Sequence, residues 1–192
     1  MSEPRKIALF GGTFDPVHLG HMQMAGLAQQ ALALDEVRLV PCRISPHKSG
    51  YEPTPADARL EMLRRATVGL PWAVVDDCEV RRDGASFSYT TAEAMRARDS
   101  AARLYWIMGE DQWAALPQWR HPERLASCVE FIVFSRGGAP QPRDGYVMHA
   151  LAGTHPASAT VIREAFVRGD TSHPWVAPAV AEWIVSRGLY RR

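Results

Sequence analysis

Ile7-Ala8-Leu9-Phe10-Gly11-Gly12-Thr13-Phe14-Asp15-Pro16-Val17-His18-Leu19-Gly20-His21 is the stretch on which the reading of this chain turns. The run Ile7 to Phe10 has strand length and no charge, whereas Leu19 to Leu34 carries apolar residues at helical spacing, so the segment between them is a strand-to-helix connection. Gly11 and Gly12 let a backbone approach a ligand closely and adopt conformations closed to other residues. The amide groups at the start of the following helix offer donors and a positive dipole end to an anion. His18 and His21, three apart, are expected on one face near that helix start, where imidazoles donate to phosphate oxygens. Two other readings stay open on these residues alone: a metal site completed by Asp15, or ordinary capping and packing histidines.

The rest of the chain limits what such a turn can serve. With 192 residues, 46% of them hydrophobic, the chain suffices for one sizeable core, and residues 1–192 are expected to form a single domain. A net charge of +1 and the absence of a basic tract argue against a nucleic-acid partner. No apolar run approaches membrane-spanning length, and the polar start Met1 to Lys6 leads into a strand instead of a signal-peptide core, so a cytoplasmic protein with a small-molecule ligand is expected. Cys42, Cys78 and Cys128 are odd in number and lack metal or redox spacing, which reads as three reduced, partly buried thiols. Nothing in the sequence indicates an oligomeric state.

Strand-like runs recur at 7–10, 36–41, 72–76, 103–108 and 129–134 with helical patterns between most of them, the alternation of an α/β fold with a mostly parallel sheet. A helix is expected from about Thr54, with Thr54 as cap and Pro55 in its first turn. Residues 42–53 and 136–145 read as loops, and Val176, Val180 and Ile184 before Gly188 as a closing helix. In open α/β sheets the loops leaving the carboxyl ends of the strands carry the ligand. The loop 42–53 holds Lys48, one of only two lysines against twenty arginines. Taken alone, Lys48 reads first as a solvated surface charge and second as a compact cation kept for a phosphate.

Several catalytic sets are missing from the sequence, among them the Gly-x-x-x-x-Gly-Lys-Ser/Thr loop, the Gly-x-Ser-x-Gly elbow and the Gly-x-Gly-x-x-Gly fingerprint. What remains is a collection of donors for anions: the glycine turn, two histidines, Lys48, and a late helix opening near Ser158 with Thr160 and Arg163 in its first turns. Such a set suits phosphoryl chemistry without a protein nucleophile. A phosphate monoester, with a second pKa of about 6, attacks unaided, so the protein needs to supply positioning and electrostatic stabilisation.

In these motifs the chain resembles the nucleotidylyltransferases of the histidine-x-glycine-histidine type, and among them the bacterial nicotinate-nucleotide adenylyltransferases. The resemblance runs over nearly the whole chain, through Gly11 to His21, Pro46-His47-Lys48, Arg59 to Leu63, Ser88-Tyr89-Thr90, Gly109-Glu110-Asp111 with Trp119, Ser158 to Arg163, and Trp183 to Tyr190. It implies a Rossmann-like open sheet with helices on both faces. It also implies transfer of AMP from ATP, carried with Mg²⁺, to nicotinate mononucleotide, releasing pyrophosphate and forming nicotinate adenine dinucleotide. By the same resemblance His18, His21, Lys48 and Arg163 would be catalytic. Gly11, Gly12, Thr13, Phe14, Ser158 and Thr160, with His18, His21 and Arg163, would hold ATP. Asp15, His47, Lys48, Thr90, Asp111, Trp119 and Arg136 would line the mononucleotide, and no protein-held metal is implied. Ala157 and Ala159 stand where the family often has isoleucine and serine, and Arg136 lacks the proline usual after it. The alternatives are the related phosphopantetheine adenylyltransferases and a non-catalytic nucleotide-binding regulator on the same scaffold.

Overall fold

A computed structural model describes residues 3–44, 52–153 and 155–191. Six strands form one parallel sheet: β1 (Lys6–Gly12), β2 (Glu36–Pro41), β3 (Ala73–Val75), β4 (Arg103–Gly109), β5 (Glu130–Ser135) and β6 (Met148–Ala152), in the order β3-β2-β1-β4-β5-β6. Alternate residues of the central strands bury on opposite faces, as the period of two requires. Ala8, Phe10, Tyr105 and Ile107 enter one core, and Ile7, Leu9, Leu104 and Trp106 the other. The first core is covered by α1 (Leu19–Leu32), α2 (Ala56–Ala66), α7 (Ala159–Val167) and α8 (Pro178–Ser186). On the second face lie α4 (Ser88–Arg98), α5 (Glu110–Ala115) and α6 (Pro122–Cys128), with a short α3 (Cys78–Arg81) and a 3-10 turn at Leu116–Gln118 completing the chain. The expected Rossmann-like architecture is therefore present, and its sheet is parallel throughout.

Five of the strands fall where the sequence placed them, within a residue or two at most ends. The sixth, β6, has no strand signal in Met148-His149-Ala150-Leu151-Ala152 and exists because it pairs with β5 from Phe131↔Met148 to Ser135↔Ala152. Across the same pair of strands the His149 ring lies 2.7 Å from Glu130 Oε2. Thr54 is not the cap of α2. Pro55 takes that position, and Thr54 instead donates its N–H to Asp15 Oδ2 (3.0 Å) while its carbonyl accepts from Arg59 Nε (2.8 Å). Cys42 and Cys128 are buried and Cys78 half-buried, with no disulfide among the described residues. Among the described residues no helix is long and apolar enough to cross a membrane.

The strand order reverses direction between β1 and β4. At such a switch point the two following connections leave to opposite faces and open a crevice beyond the carboxyl ends of the strands. Gly11 and Gly12 end β1 there, and Gly109 ends β4.

Candidate active site

The crevice contains two cavities with a common wall. The first, about 410 Å³, is lined by β1's end, Thr13 to Asp15, Trp106, Ser86 and Ser88, Trp119 and Arg163. The second, about 260 Å³, is lined by His18, Gly20, Met24, Leu27, Phe134, Arg136 and His155 among others. His21, Met24, Gly109 and Asp111 belong to both.

The two glycines of the turn act by size and not by unusual backbone angles, since both lie inside β1 at negative or extended φ. A Cβ on Gly11 would stand 3.0 Å from Trp106 Cζ2, and one on Gly12 3.0 Å from Phe14 Cζ. The left-handed position expected of a glycine falls instead on Phe14, with φ of 51°. That bulky residue is held there because its ring is buried, edge-on to both Phe10 and His21.

His18 caps α1, and the two histidines are tied reciprocally. His21 N–H donates to His18 Nδ1 (3.4 Å) and His18 N–H to His21 Nδ1 (3.2 Å), with the rings stacked 3.6 Å apart between centroids. A backbone N–H can only donate, so each Nδ1 is an acceptor and each neutral ring carries its proton on Nε2. Burial, and next the charge of nearby His155, push the His18 pKa down to about 4. His18 is thus a neutral donor at ordinary pH, and in this tautomer both rings present Nε2–H. The helix amides expected to meet the anion are partly committed elsewhere: Leu19 N–H goes to the Trp175 carbonyl (2.8 Å) and His21 N–H to His18. Donation into the crevice falls to the imidazoles instead.

Arg163 reaches the first cavity from α7. Its Nη1 donates to the Asp15 carbonyl (2.8 Å) and its Nη2 to Thr160 Oγ1 (3.2 Å), which makes Thr160 a brace for the guanidinium. Ser158 sits at the N-cap of the same helix with no capping hydrogen bond from its side chain. Asp15 is buried, its carboxylate taken by Thr54 N–H and by the Tyr190 hydroxyl (2.7 Å). It braces the turn from the cavity's edge.

On the other side, Trp119 and Asp111 line the first cavity, Asp111 also the second, whereas Thr90 lines neither and Ser86 and Ser88 stand in the first. Thr90 is the third residue of α4, two positions after Ser88, which at 3.6 residues per turn sets its side chain on about the opposite side of the helix. Arg136 also differs from expectation: it lines the second cavity with His18, not the one containing Trp119, because its backbone N–H is fastened to Glu110 Oε2 (2.9 Å). His47 and Lys48 lie outside the described residues.

Several residues in the site had no site role assigned from sequence, Arg59 among them although it stands in one of the resembling motifs. Arg59 is buried under the turn, giving Nη1 to the Thr13 carbonyl and Nε to the Thr54 carbonyl, both at 2.8 Å. Glu79 is buried against the first cavity, where it accepts from Thr91 Oγ1 (2.6 Å). Burial raises its pKa, and hydrogen bonds from Thr91 and Ser86 oppose that rise. His155 stands in no motif of the sequence and lines the second cavity.

A parallel sheet whose switch point holds neutral imidazole donors, an anchored arginine and two adjoining cavities is the architecture of a nucleotidyltransferase that positions two phosphate-bearing reactants. Comparison with known proteins agrees: the cytidylyltransferase-like family model matches residues 9–165. The probable nicotinate-nucleotide adenylyltransferase of Gemmatimonas aurantiaca is 37% identical, over 97% of this chain and 92% of its own length. That of Geobacillus kaustophilus is 35% identical, over 96% and 86%. A Plasmodium falciparum nicotinic acid mononucleotide adenylyltransferase, solved in complex with NaAD, shares the fold with a TM-score of 0.78 at 16% identity, covering 97% of each chain. The chain belongs to the cytidylyltransferase-like family and, within it, to the nicotinate-nucleotide adenylyltransferases.

Proposed function

We propose that this enzyme transfers the adenylyl group of ATP to nicotinate mononucleotide, forming nicotinate adenine dinucleotide and pyrophosphate. The observation that carries this reading is the pair of cavities meeting at His21, Met24, Gly109 and Asp111. Two nucleotide-sized reactants can then meet at one wall, where the α-phosphorus would stand. The first cavity, with Trp106 and Trp119, suits a flat pyridine ring better than the flexible chain of a pantetheine phosphate. The second, with Met24, Leu27 and Phe134, offers an apolar slot for adenine, and Asp111 at the junction offers an acceptor to a ribose hydroxyl.

In this reading an oxygen of the mononucleotide phosphate attacks the α-phosphorus. The bond from that phosphorus to the bridging oxygen breaks, and pyrophosphate departs with the electron pair. No protein nucleophile or general base is needed, because the attacking phosphate is already ionised. His18 and His21 hold the reacting phosphate through Nε2–H groups from the second cavity and the shared wall, and Arg163, which lines the first cavity across that wall, would meet the charge that builds on the phosphates where the two cavities join. ATP enters as its Mg²⁺ complex. Phosphate oxygens and water would supply most ligands of that ion, as is usual for Mg²⁺ with a nucleotide.

The test is pyrophosphate release from Mg·ATP with nicotinate mononucleotide, nicotinamide mononucleotide and pantetheine phosphate offered separately. Fastest release is expected with the nicotinate compound. Release with pantetheine phosphate alone, or with none of the three, overturns the reading.

A further inference from the structure

His155 belongs to neither the histidine pair nor the helix that carries Arg163, yet it shares the second cavity with His18, Gly20 and His21. Two observations fix its placement. The Ala157 N–H donates to His155 Nδ1 at 3.0 Å, so that nitrogen is an acceptor and the neutral ring carries its proton on Nε2, the same tautomer that the reciprocal cap imposes on His18 and His21. The side chain also packs directly on the glycine of the histidine-x-glycine-histidine turn. A Cβ at Gly20 would stand 3.2 Å from His155 Cβ and 3.1 Å from His18 Nδ1, so Gly20 leaves the room in which His18 and His155 lie side by side.

We propose that His155 is a third imidazole donor of the site, giving its Nε2–H to a phosphate oxygen of ATP beside His18. The proposal rests on the reading of the second cavity as the ATP site. Chemistry favours phosphate over adenine as the partner, since His155 lies on the histidine side of the cavity while Met24, Leu27 and Phe134 supply its apolar part. With Nδ1 held by the Ala157 N–H, the ring presents Nε2–H to the phosphates and orients ATP beside His18. Its Nδ1 bond to Ala157, the residue before the Ser158 cap, also ties the ring to the start of α7, which carries Arg163. The donor row and the arginine thus share one support.

The experiment compares His155→Ala and His155→Gln with the unaltered enzyme. Measured are KM values for ATP and nicotinate mononucleotide forward, KM for pyrophosphate in the reverse direction, and direct calorimetric titration with pyrophosphate alone. Loss of one hydrogen bond to a charged oxygen predicts that His155→Ala raises the ATP and pyrophosphate constants at least about tenfold while leaving the mononucleotide constant within about twofold. His155→Gln, whose amide reaches the Nε2 position, is expected to restore most of the loss, which a purely packing role would not produce. Weakened ATP with unchanged pyrophosphate would place the ring on the nucleoside and overturn the proposal, as would equal losses for both substrates. If the enzyme releases no pyrophosphate with any acceptor, the functional reading fails, and the titration still decides whether His155 meets a phosphate. A variant that melts early is judged by the glutamine substitution in the same titration.

Discussion

The hydroxyl of Tyr190 donates to Asp15 Oδ1 at 2.7 Å, closing a contact between residues 175 positions apart. Asp15 in turn takes Thr54 N–H on its other oxygen and gives its carbonyl to Arg163, so one buried residue joins the glycine turn, the approach to α2, the arginine of α7 and the end of the chain. A hydrogen bond to a buried carboxylate contributes about 1.5–3 kcal/mol. Tyr190→Phe is expected to lower the unfolding free energy by about that amount in urea titration. It should also reduce kcat/KM, because Arg163 loses part of its support. Unchanged stability would show that Asp15 is held without the tail.

Arg59 makes a second prediction. Its planar fork meets the carbonyls of Thr13 and Thr54 together, which a lysine ammonium on a single flexible stem does not reproduce. Arg59→Lys leaves a buried carbonyl unsatisfied, at a cost of about 1–3 kcal/mol, and is expected to lower kcat/KM by loosening the turn. Thermal unfolding with steady-state kinetics on the same preparation checks both effects.

The depressed pKa of His18 has a consequence for stability. Between its ordinary 6.5 and about 4, the unfolded chain binds a proton at this ring that the folded chain does not. Stability therefore rises with pH through that window: the contribution is complete above 6.5 and is lost as the pH falls toward 4. His18→Gln removes this component of the slope. Urea midpoints measured at intervals across the window should fall more steeply toward acid in the unaltered enzyme than in the variant.

Trp119 lines the first cavity and not the second. Trp119→Ala is expected to raise KM for the mononucleotide by about tenfold or more, the value of one stacking contact, and to leave KM for ATP within about twofold. An unaltered mononucleotide constant would remove the ring from this substrate.

What was legible in the sequence is what local physics controls. The strand-turn-helix at Ile7 to His21 and the strand at Glu36–Pro41 follow from period, glycine and charge within a few residues. Arg163 was visible as a cation in the first turns of a late helix. Arg59 and Tyr190 stood in motifs with no contact assigned, and Glu79 stood in none, because the partners that an arginine, glutamate or tyrosine finds on folding are not written beside it in the sequence. Strand β6 was hidden for a related reason: its five residues have no intrinsic strand preference and take their shape from β5.

The sequence by itself determined the alternation of strands and helices, the phosphate-directed turn and the three-residue spacing that lets His18 and His21 cap each other, since these depend on neighbours along the chain. Tertiary structure decided which side each residue serves. It set Arg136 beside His18 and not beside Trp119, moved the left-handed backbone to Phe14, drew Tyr190 onto Asp15 and brought His155 against Gly20. Each of those outcomes comes from close packing between segments far apart in the chain, where space and hydrogen-bond partners are shared and no local pattern records the division.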